Sequence, residues 1–579
     1  MAKMESGIFV RRIGTLVLLF YTVVLQALSP IPADEKITFW SDYPNDILAS
    51  EICRRMTDEE LFAQILMFGW AGQEPSPLLI QWVTERELGS VKVFGWNTDD
   101  IVLVAKSVTL LQKKAQKGRF SIPLYVATDQ EGGLIRHVKG KTSDTPGNLA
   151  IGASGYPSDA WYSGYYIAKE LRALGINMNF APTVDLYTNL DSSVIGSRSF
   201  GYDPNFSGVM GASFAAGSMA AGVIPTAKHF PGHGDTEADS HGKLPIIDAD
   251  WDTLLQRELI PFEYLIREKI PAVMSGHLSF PRIISKGQPA SLSRFFLTDI
   301  LRNKLGYEGL IITDDMMMNG ATSYTGAVSS AVALAAEAGN DIIISSTTAQ
   351  WDEPLWHNNI KRMKTDSDFK EIVRNAAERV VLSKLKYFKG ENPVPLLPDI
   401  GAIELCVPDP EAESFFTSQA ARAVTLYKAG DFPFTSEQAL LQKILLAGQF
   451  QEFFDEGAQR YKNARFFFFG YNLDSANIRQ KGAQLAQYAK NYDTVIVCVA
   501  NEASRRVAKY LAQSGKRVIV VSALEPVHVF DFDWADSIVL AYSYSRYSFR
   551  AAFAALAGDY TPQGLLPLNV RLPKGGALR

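Results

Sequence analysis

The sequence predicts an α/β protein: a parallel (β/α)8 TIM-like barrel followed by a smaller α/β layered sandwich domain. Three observations carry this reading. Eight short apolar runs alternate with longer amphipathic stretches over about 300 residues, the rhythm of a parallel sheet whose crossovers are helices. The segment GENPVPLLPD at 390–399 then breaks the last long helix with prolines that cannot continue it, marking a linker. Beyond it come five further apolar runs with helical stretches beside them, the pattern of a second buried sheet.

Length and composition bound the possibilities. At 579 residues the chain exceeds one ordinary core, so at least two domains are expected. Hydrophobic residues at 47% and charged residues at 21% are typical of a globular protein, and a net charge of -5 argues against nucleic acid as a partner. The three cysteines, Cys53, Cys406 and Cys498, show no CxxC spacing, so neither a disulfide framework nor a cysteine zinc site is supported. Oligomeric state is not legible.

Residues 1–33 read as a signal peptide or N-terminal anchor. Arg11 and Arg12 precede an apolar run at 13–28, and the polar sequence Asp34, Glu35, Lys36 follows. The run is short against the roughly 20 apolar residues of a spanning helix. The expectation is export to a periplasmic or extracellular space, the run being either removed or kept as an uncleaved anchor. No other membrane partner is indicated.

The barrel is placed at 46–389. A helix from Asp58 leads into the first run, ILMFGW at 65–70; VKVF follows at 91–94. A helical stretch at 101–117 separates it from PLYVATD, 123–129. The remaining runs are INMNFAPTVD at 176–185, VIPTAKHF at 223–230, AVMSGH at 272–277, LIITDD at 310–315 and DIIISS at 341–346. Amphipathic stretches at 160–174, 205–221, 253–268, 293–305 and 327–338 supply crossover helices, and a helix at 366–389 ends the domain. In the second domain, 400–579, the runs are KILLAG, RFFFFG, TVIVCVA, RVIVVSA and SIVLAYS, with helices at 502–513 and 546–557. No GxGxxG or GxxxxGK[ST] motif occurs there, so no nucleotide cofactor is called.

Polar residues end the barrel runs: Asp129, Asp185, Lys228 with His229, His277 and Asp314. In a barrel these ends share one face, where residues distant in sequence meet in a pocket. Helix capping would explain one or two such carboxylates. The longest cluster is the loop KHFPGHGDTEADSHGKLP at 228–245, which holds His229, His233 and His241 beside Asp235, Glu237 and Asp239. Pro231, Gly232 and Gly234 exclude a helix. A metal-dependent hydrolase is one reading of these histidines, but HxxxH joins two imidazoles on a metal only when helical, and no HExxH is present. No metal is therefore called.

Together with DQEGG at 129–133, GSRSFG at 196–201, TDD at 313–315 and the tail GDYTPQGLLPLNV at 558–570, this loop resembles the β-N-acetylglucosaminidase (β-hexosaminidase) branch of glycoside hydrolase family 3. The resemblance spans residues 50–570, strongly in the barrel and weakly over 400–550. It implies an exo-acting retaining enzyme that removes terminal β-linked N-acetylhexosamine from carbohydrate, with cell-wall fragments as the glycan source. Asp314 matches the family's nucleophile. His241, in the triplet Asp-Ser-His, matches its acid/base, and Asp239 would orient that imidazole, whose unperturbed pKa of about 6.5 suits proton transfer both ways. Asp129, Arg198, Lys228 and His229 match positions that hold the sugar's hydroxyls; Asp315 reads as an orienting neighbour, and His233 and Asp235 as groups that shape the loop.

One departure stands out: His137 occupies the place where relatives carry arginine after DQEGG, and Arg136 comes one residue early. A β-glucosidase or broader exo-glycosidase of the same family is the alternative, as is a phosphorylase, since a neutral imidazole repels phosphate less than a carboxylate does. A non-catalytic sugar-binding barrel would have lost its nucleophile, whereas Asp314 and His241 are both present.

Overall fold

The computed structural model describes residues 31–570 apart from 193, 237–243 and 285–286. The run at 13–28, and Glu237, Asp239 and His241 of the histidine loop, lie outside the described residues. All eight apolar runs supply strands to one parallel sheet. In chain order these are Leu66–Phe68, Ser90–Lys92, Tyr125–Thr128, Met178–Asn179, Ile224–Phe230, Ala272–Ser275, Leu310–Thr313 and Ile343–Ser345. Neighbours in sequence pair in space, the eighth strand pairs with the first, and a parallel bridge between Ile312 and Ile342 nearly closes the ring. The strands are fully buried, as a parallel barrel sheathed in helices requires.

Some runs give fewer paired residues than their apolar length predicts. INMNFAPTVD contributes only Met178–Asn179, because Pro182 has no N–H for the ladder; pairing resumes as a single bridge from Thr183 to Lys228. The stretch at 293–305 forms a π-helix over Phe295–Lys304, with Phe295 packed edge-on against Trp251 and Phe296 against Phe280. DQEGG opens a small hairpin, Gln130–Gly132 with Ile135–Arg136, rather than a helix.

Caps set where the barrel's helices begin. Thr57 accepts from the Glu60 N–H while the Glu60 carboxylate accepts from the Thr57 N–H, and Asp100 accepts from Val102 and Leu103 N–H groups. Helices Pro157–Ala173 and Pro204–Ala220 approach unusually closely through glycines. A Cβ on Gly164 would lie 2.1 Å from the Phe214 carbonyl oxygen, and one on Gly217 would lie 1.9 Å from that of Trp161.

The second sheet runs Thr425–Lys428, Ser537–Leu540, Arg517–Ser522, Thr494–Val499, Ile444–Gly448, Arg465–Phe468 across its width. Five strands come from the five apolar runs. The edge strand Thr425–Lys428, antiparallel to its neighbour, was not among them. This domain seats on the barrel's helix Pro157–Ala173: Arg422 forks onto Asp159 at 2.5 and 3.0 Å, Lys169 pairs with Asp409 at 2.7 Å, and Tyr166 enters the second domain's core.

At the base of the barrel, Lys384 from the helix Ser367–Phe388 is completely buried. Its ammonium meets only neutral acceptors, the Gly89 carbonyl at 2.7 Å and Gln64 Oε1 at 3.1 Å. Burial lowers its pKa to about 7.

Candidate active site

At the opposite end, the C-terminal ends of the strands surround a cavity of about 360 Å³. Asp129, Arg198, Lys228, His229 and Asp314 all line it, each arriving from a strand end or the loop that follows. A larger recess of about 610 Å³ opens at the base beside Ile270, Tyr307 and Lys386. It gathers cations and apolar walls but no convergent carboxylates, so size does not mark the chemical site.

The cavity is organised by charges that are buried and paired. Lys228, 2% exposed, places its ammonium 2.6 Å from Asp129 Oδ1 and 2.6 Å from Glu131 Oε1. Arg198 forks onto Glu131, with Nε at 2.9 Å and an Nη at 2.8 Å. The remaining oxygen of Asp129 takes the Lys92 ammonium at 2.8 Å. Burial alone would raise both carboxyls, but Lys228 and Lys92 hold Asp129 well below the usual carboxylate range, and Arg198 and Lys228 hold Glu131 at about 2. The same carboxylates raise Lys228 against the cost of its burial.

Asp185, from the end of the fourth run, organises the start of the histidine loop. Its carboxylate accepts from the His229 N–H at 3.1 Å and the His233 N–H at 2.7 Å, and lies 2.6 Å from His229 Nδ1. That contact fixes Nδ1 as the donor in a ring that lines the cavity. The His233 ring is buried with neither nitrogen hydrogen-bonded among the described residues, and burial next to His229 lowers its pKa to about 4, so it is neutral. Asp235 pairs with Arg257 at 2.6 Å, and Arg257 also holds Glu258, whose burial lifts its carboxyl to about 7.

Asp314 follows the seventh strand directly. Its N–H continues the ladder by donating to the Ser275 carbonyl at 3.0 Å, and its Oδ1 accepts from the Asp315 N–H at 2.8 Å. The next helix begins only at Asn319, so Asp314 caps none, and it lines the cavity. Burial would raise this group, but His229 and His277, with the Asp315 N–H, bring it down to about 2, so it is anionic throughout the neutral range. Asp315 turns its Oδ1 to the N–H groups of Met317 and Ser346, each at 3.0 Å. His277 sits below, with Nε2 donating to the Asp315 carbonyl at 3.0 Å and Nδ1 at 2.7 Å from the Ser291 hydroxyl.

The departure after DQEGG also resolves. Arg136 turns away to the Thr142 carbonyl at 2.8 Å, whereas His137 faces the cavity with Nδ1 3.6 Å from Asp129. Lys92 and Glu131 were missed as site residues. Both signals were present in the sequence: Lys92 is a charge inside an apolar strand run, and Glu131 sits within DQEGG. Among the described residues, no three His, Cys, Asp or Glu side chains form a group that could hold a metal. Among the described residues the arrangement offers one ionised carboxylate outside the salt-bridge network, Asp314, beside a ring of fixed donors and acceptors, suited to displacement at a carbon held by hydroxyl contacts.

Residues 57–382 match the family described as the Glycosyl hydrolase family 3 N terminal domain. Beta-hexosaminidase A of Pseudoalteromonas piscicida is 36% identical over 264 residues, covering 43% of this chain and 44% of that protein, so the chain spans less than half of that relative. Beta-hexosaminidase of Tolumonas auensis is 36% identical over 270 residues, covering 45% of this chain and 78% of its own length. Among solved structures, a glycoside hydrolase family 3 beta-N-acetylglucosaminidase from Paenibacillus sp. str. FPU-7 aligns with a TM-score of 0.80 at 26% identity, covering 90% of this chain and 100% of that one.

Proposed function

The chain belongs to glycosyl hydrolase family 3, and from that premise we propose that it is an exo-acting, retaining β-N-acetylhexosaminidase using Asp314 as nucleophile. The observation that carries this is Asp314 itself, a carboxylate at a strand end with no salt bridge among the described residues, held ionised and facing a cavity whose other charges are paired. The names of the hexosaminidase relatives support the substrate class.

In the first step an Asp314 oxygen attacks the anomeric carbon as the glycosidic C–O bond breaks, and the leaving oxygen takes a proton. His241, oriented by Asp239, is assigned that proton by the resemblance of its Asp-Ser-His triplet. In the second step the neutral imidazole takes a proton from water, the water oxygen bonds to the anomeric carbon, and Asp314 leaves. Two inversions return the β-anomer. Asp129, Arg198, Lys228 and His229 would hold the sugar, because donors and acceptors fixed in alternation match hydroxyls that both give and take hydrogen bonds. The exported, cell-wall-derived glycan expected from the sequence belongs to the same proposal.

The test follows the anomer formed first and the residue that is labelled. NMR should show the β-anomer, and a slow fluorinated substrate should leave its glycosyl group on Asp314 in peptide mass mapping. An α-anomer, or label on another carboxylate, would remove Asp314 from this role. Nitrophenyl β-N-acetylglucosaminide against the β-glucoside, each with and without phosphate, separates hexosaminidase from glucosidase and phosphorylase.

A further inference from the structure

Trp96 lines the same cavity as Asp314 yet is 52% exposed, the most exposed large aromatic there. Two contacts hold it in place. Its indole N–H donates to the Trp70 carbonyl at 2.7 Å, and its ring stacks on Phe94 at 4.5 Å with an interplanar angle of 4°. The turn beneath is locked by Asn97, whose Oδ1 accepts from the Phe94 N–H at 2.8 Å and whose amide donates to the Trp70 carbonyl at 3.1 Å. Phe94, 7% exposed, also lies 4.4 Å from the Lys92 ammonium, so a column of Lys92, Phe94 and Trp96 climbs from Asp129 to the rim.

An indole whose polar edge is satisfied internally and whose open face is left in water is an aromatic surface arranged in advance, with little side-chain entropy left to lose. Its place also fixes what it meets. Asp129, Glu131 and Lys228 form the buried wall and Trp96 the exposed rim, so the group beyond the scissile bond is met on the open side. We infer that Trp96 is the platform of a leaving-group subsite that stacks on the apolar C–H face of a second pyranose ring, so that the preferred substrates are β-linked disaccharides or longer chains. This rests on reading the cavity as an exo-glycosidase pocket. Stacking suits the partner: a pyranose with equatorial hydroxyls shows weakly positive axial hydrogens to the negative face of a ring, while its hydroxyls stay in water.

The experiment compares two substrates in one protein, N,N′-diacetylchitobiose and methyl β-N-acetylglucosaminide, whose leaving group has no ring. Trp96→Ala should lower kcat/KM for the disaccharide about tenfold, chiefly through KM, and leave the methyl glycoside within about twofold. Trp96→Leu, which still covers Phe94 but has no π face, should give the same selective loss, and Trp96→Phe should restore most of the wild-type ratio. An equal loss on both substrates, or none on the disaccharide, would overturn the subsite and leave Trp96 as a cover for Phe94. If the wild type cleaves neither hexosaminide, the functional reading fails separately, and cellobiose against methyl β-glucoside measures the same ratio.

Discussion

Lys228 and Lys384 are both lysines buried in the same barrel, one at the mouth and one at the base, and burial leaves them in opposite states. Lys228 bridges two carboxylates at 2.6 Å and is raised. Lys384 meets a carbonyl and an amide oxygen and falls to about 7. Desolvation penalises both ammonium ions alike; the charge of the partner decides the outcome. The mouth is thus a network in which each charge is kept by its neighbours, whereas the base holds a solitary cation poised to lose its proton.

The strongest way to break the comparison is Lys228→Met. It leaves Asp129 with Lys92 and Glu131 with Arg198, each short of a partner in a buried site. Stability should fall by about 3 kcal/mol in urea unfolding, and turnover by at least about 100-fold. A loss below about 1 kcal/mol would mean that the network tolerates a missing cation and that pairing is not what holds it.

A narrower cut is Asp185→Asn, which keeps the shape but removes the charge facing His229. Stability should fall by about 2 kcal/mol, and the downfield proton resonance expected of His229 Nδ1–H should move upfield. An unmoved resonance would show that the ring is held by something other than this carboxylate. The pH dependence has a definite sign here. The Asp185 carboxyl is raised by burial but lowered overall by His229, so its contribution is complete above the unfolded value of about 3.9 and lost as pH falls through the lower folded value.

The smallest effect comes from Lys384→Met and sharpens the contrast through pH. The folded pKa is depressed, so the unfolded chain binds more protons between about 7 and about 10.4, and stability rises with pH across that window. The variant lacks this dependence. Relative to wild type it should gain on the order of 2 kcal/mol between pH 9.5 and pH 8. Parallel pH profiles for the two proteins would place the buried ammonium in a better-solvated setting than its contacts describe.

The eight barrel strands were legible because buried parallel strands read as short apolar runs, and the cavity because Asp129, Lys228, His229 and Asp314 end such runs. The edge strand Thr425–Lys428 escaped, since TLYK alternates burial and resembles ordinary amphipathic chain. Lys92 escaped because a lysine flanked by valines looks like a solvated interruption until Asp129 is placed opposite it. Trp96 escaped for a different reason. Its neighbour in the stack is two residues away, but its hydrogen-bond acceptor, Trp70, is separated by a whole crossover helix, and only the pairing of the first two strands brings them together. Periodicity reports which residues are buried; pairing across strands is set by the ring.

The close helix pair has a further consequence, for how precisely two folded bodies can be aligned. Trp161 and Gly164 contact the neighbouring helix, while Asp159, Tyr166 and Lys169, on the same helix, receive the second domain. One rod therefore serves as both barrel stave and mounting rail, and at these two glycines it meets backbone. A methyl group at 164 or 217 would act as a shim: it would force the rod outward and tilt whatever is bolted to it. Two missing side chains thus let the rail sit this close to its neighbour.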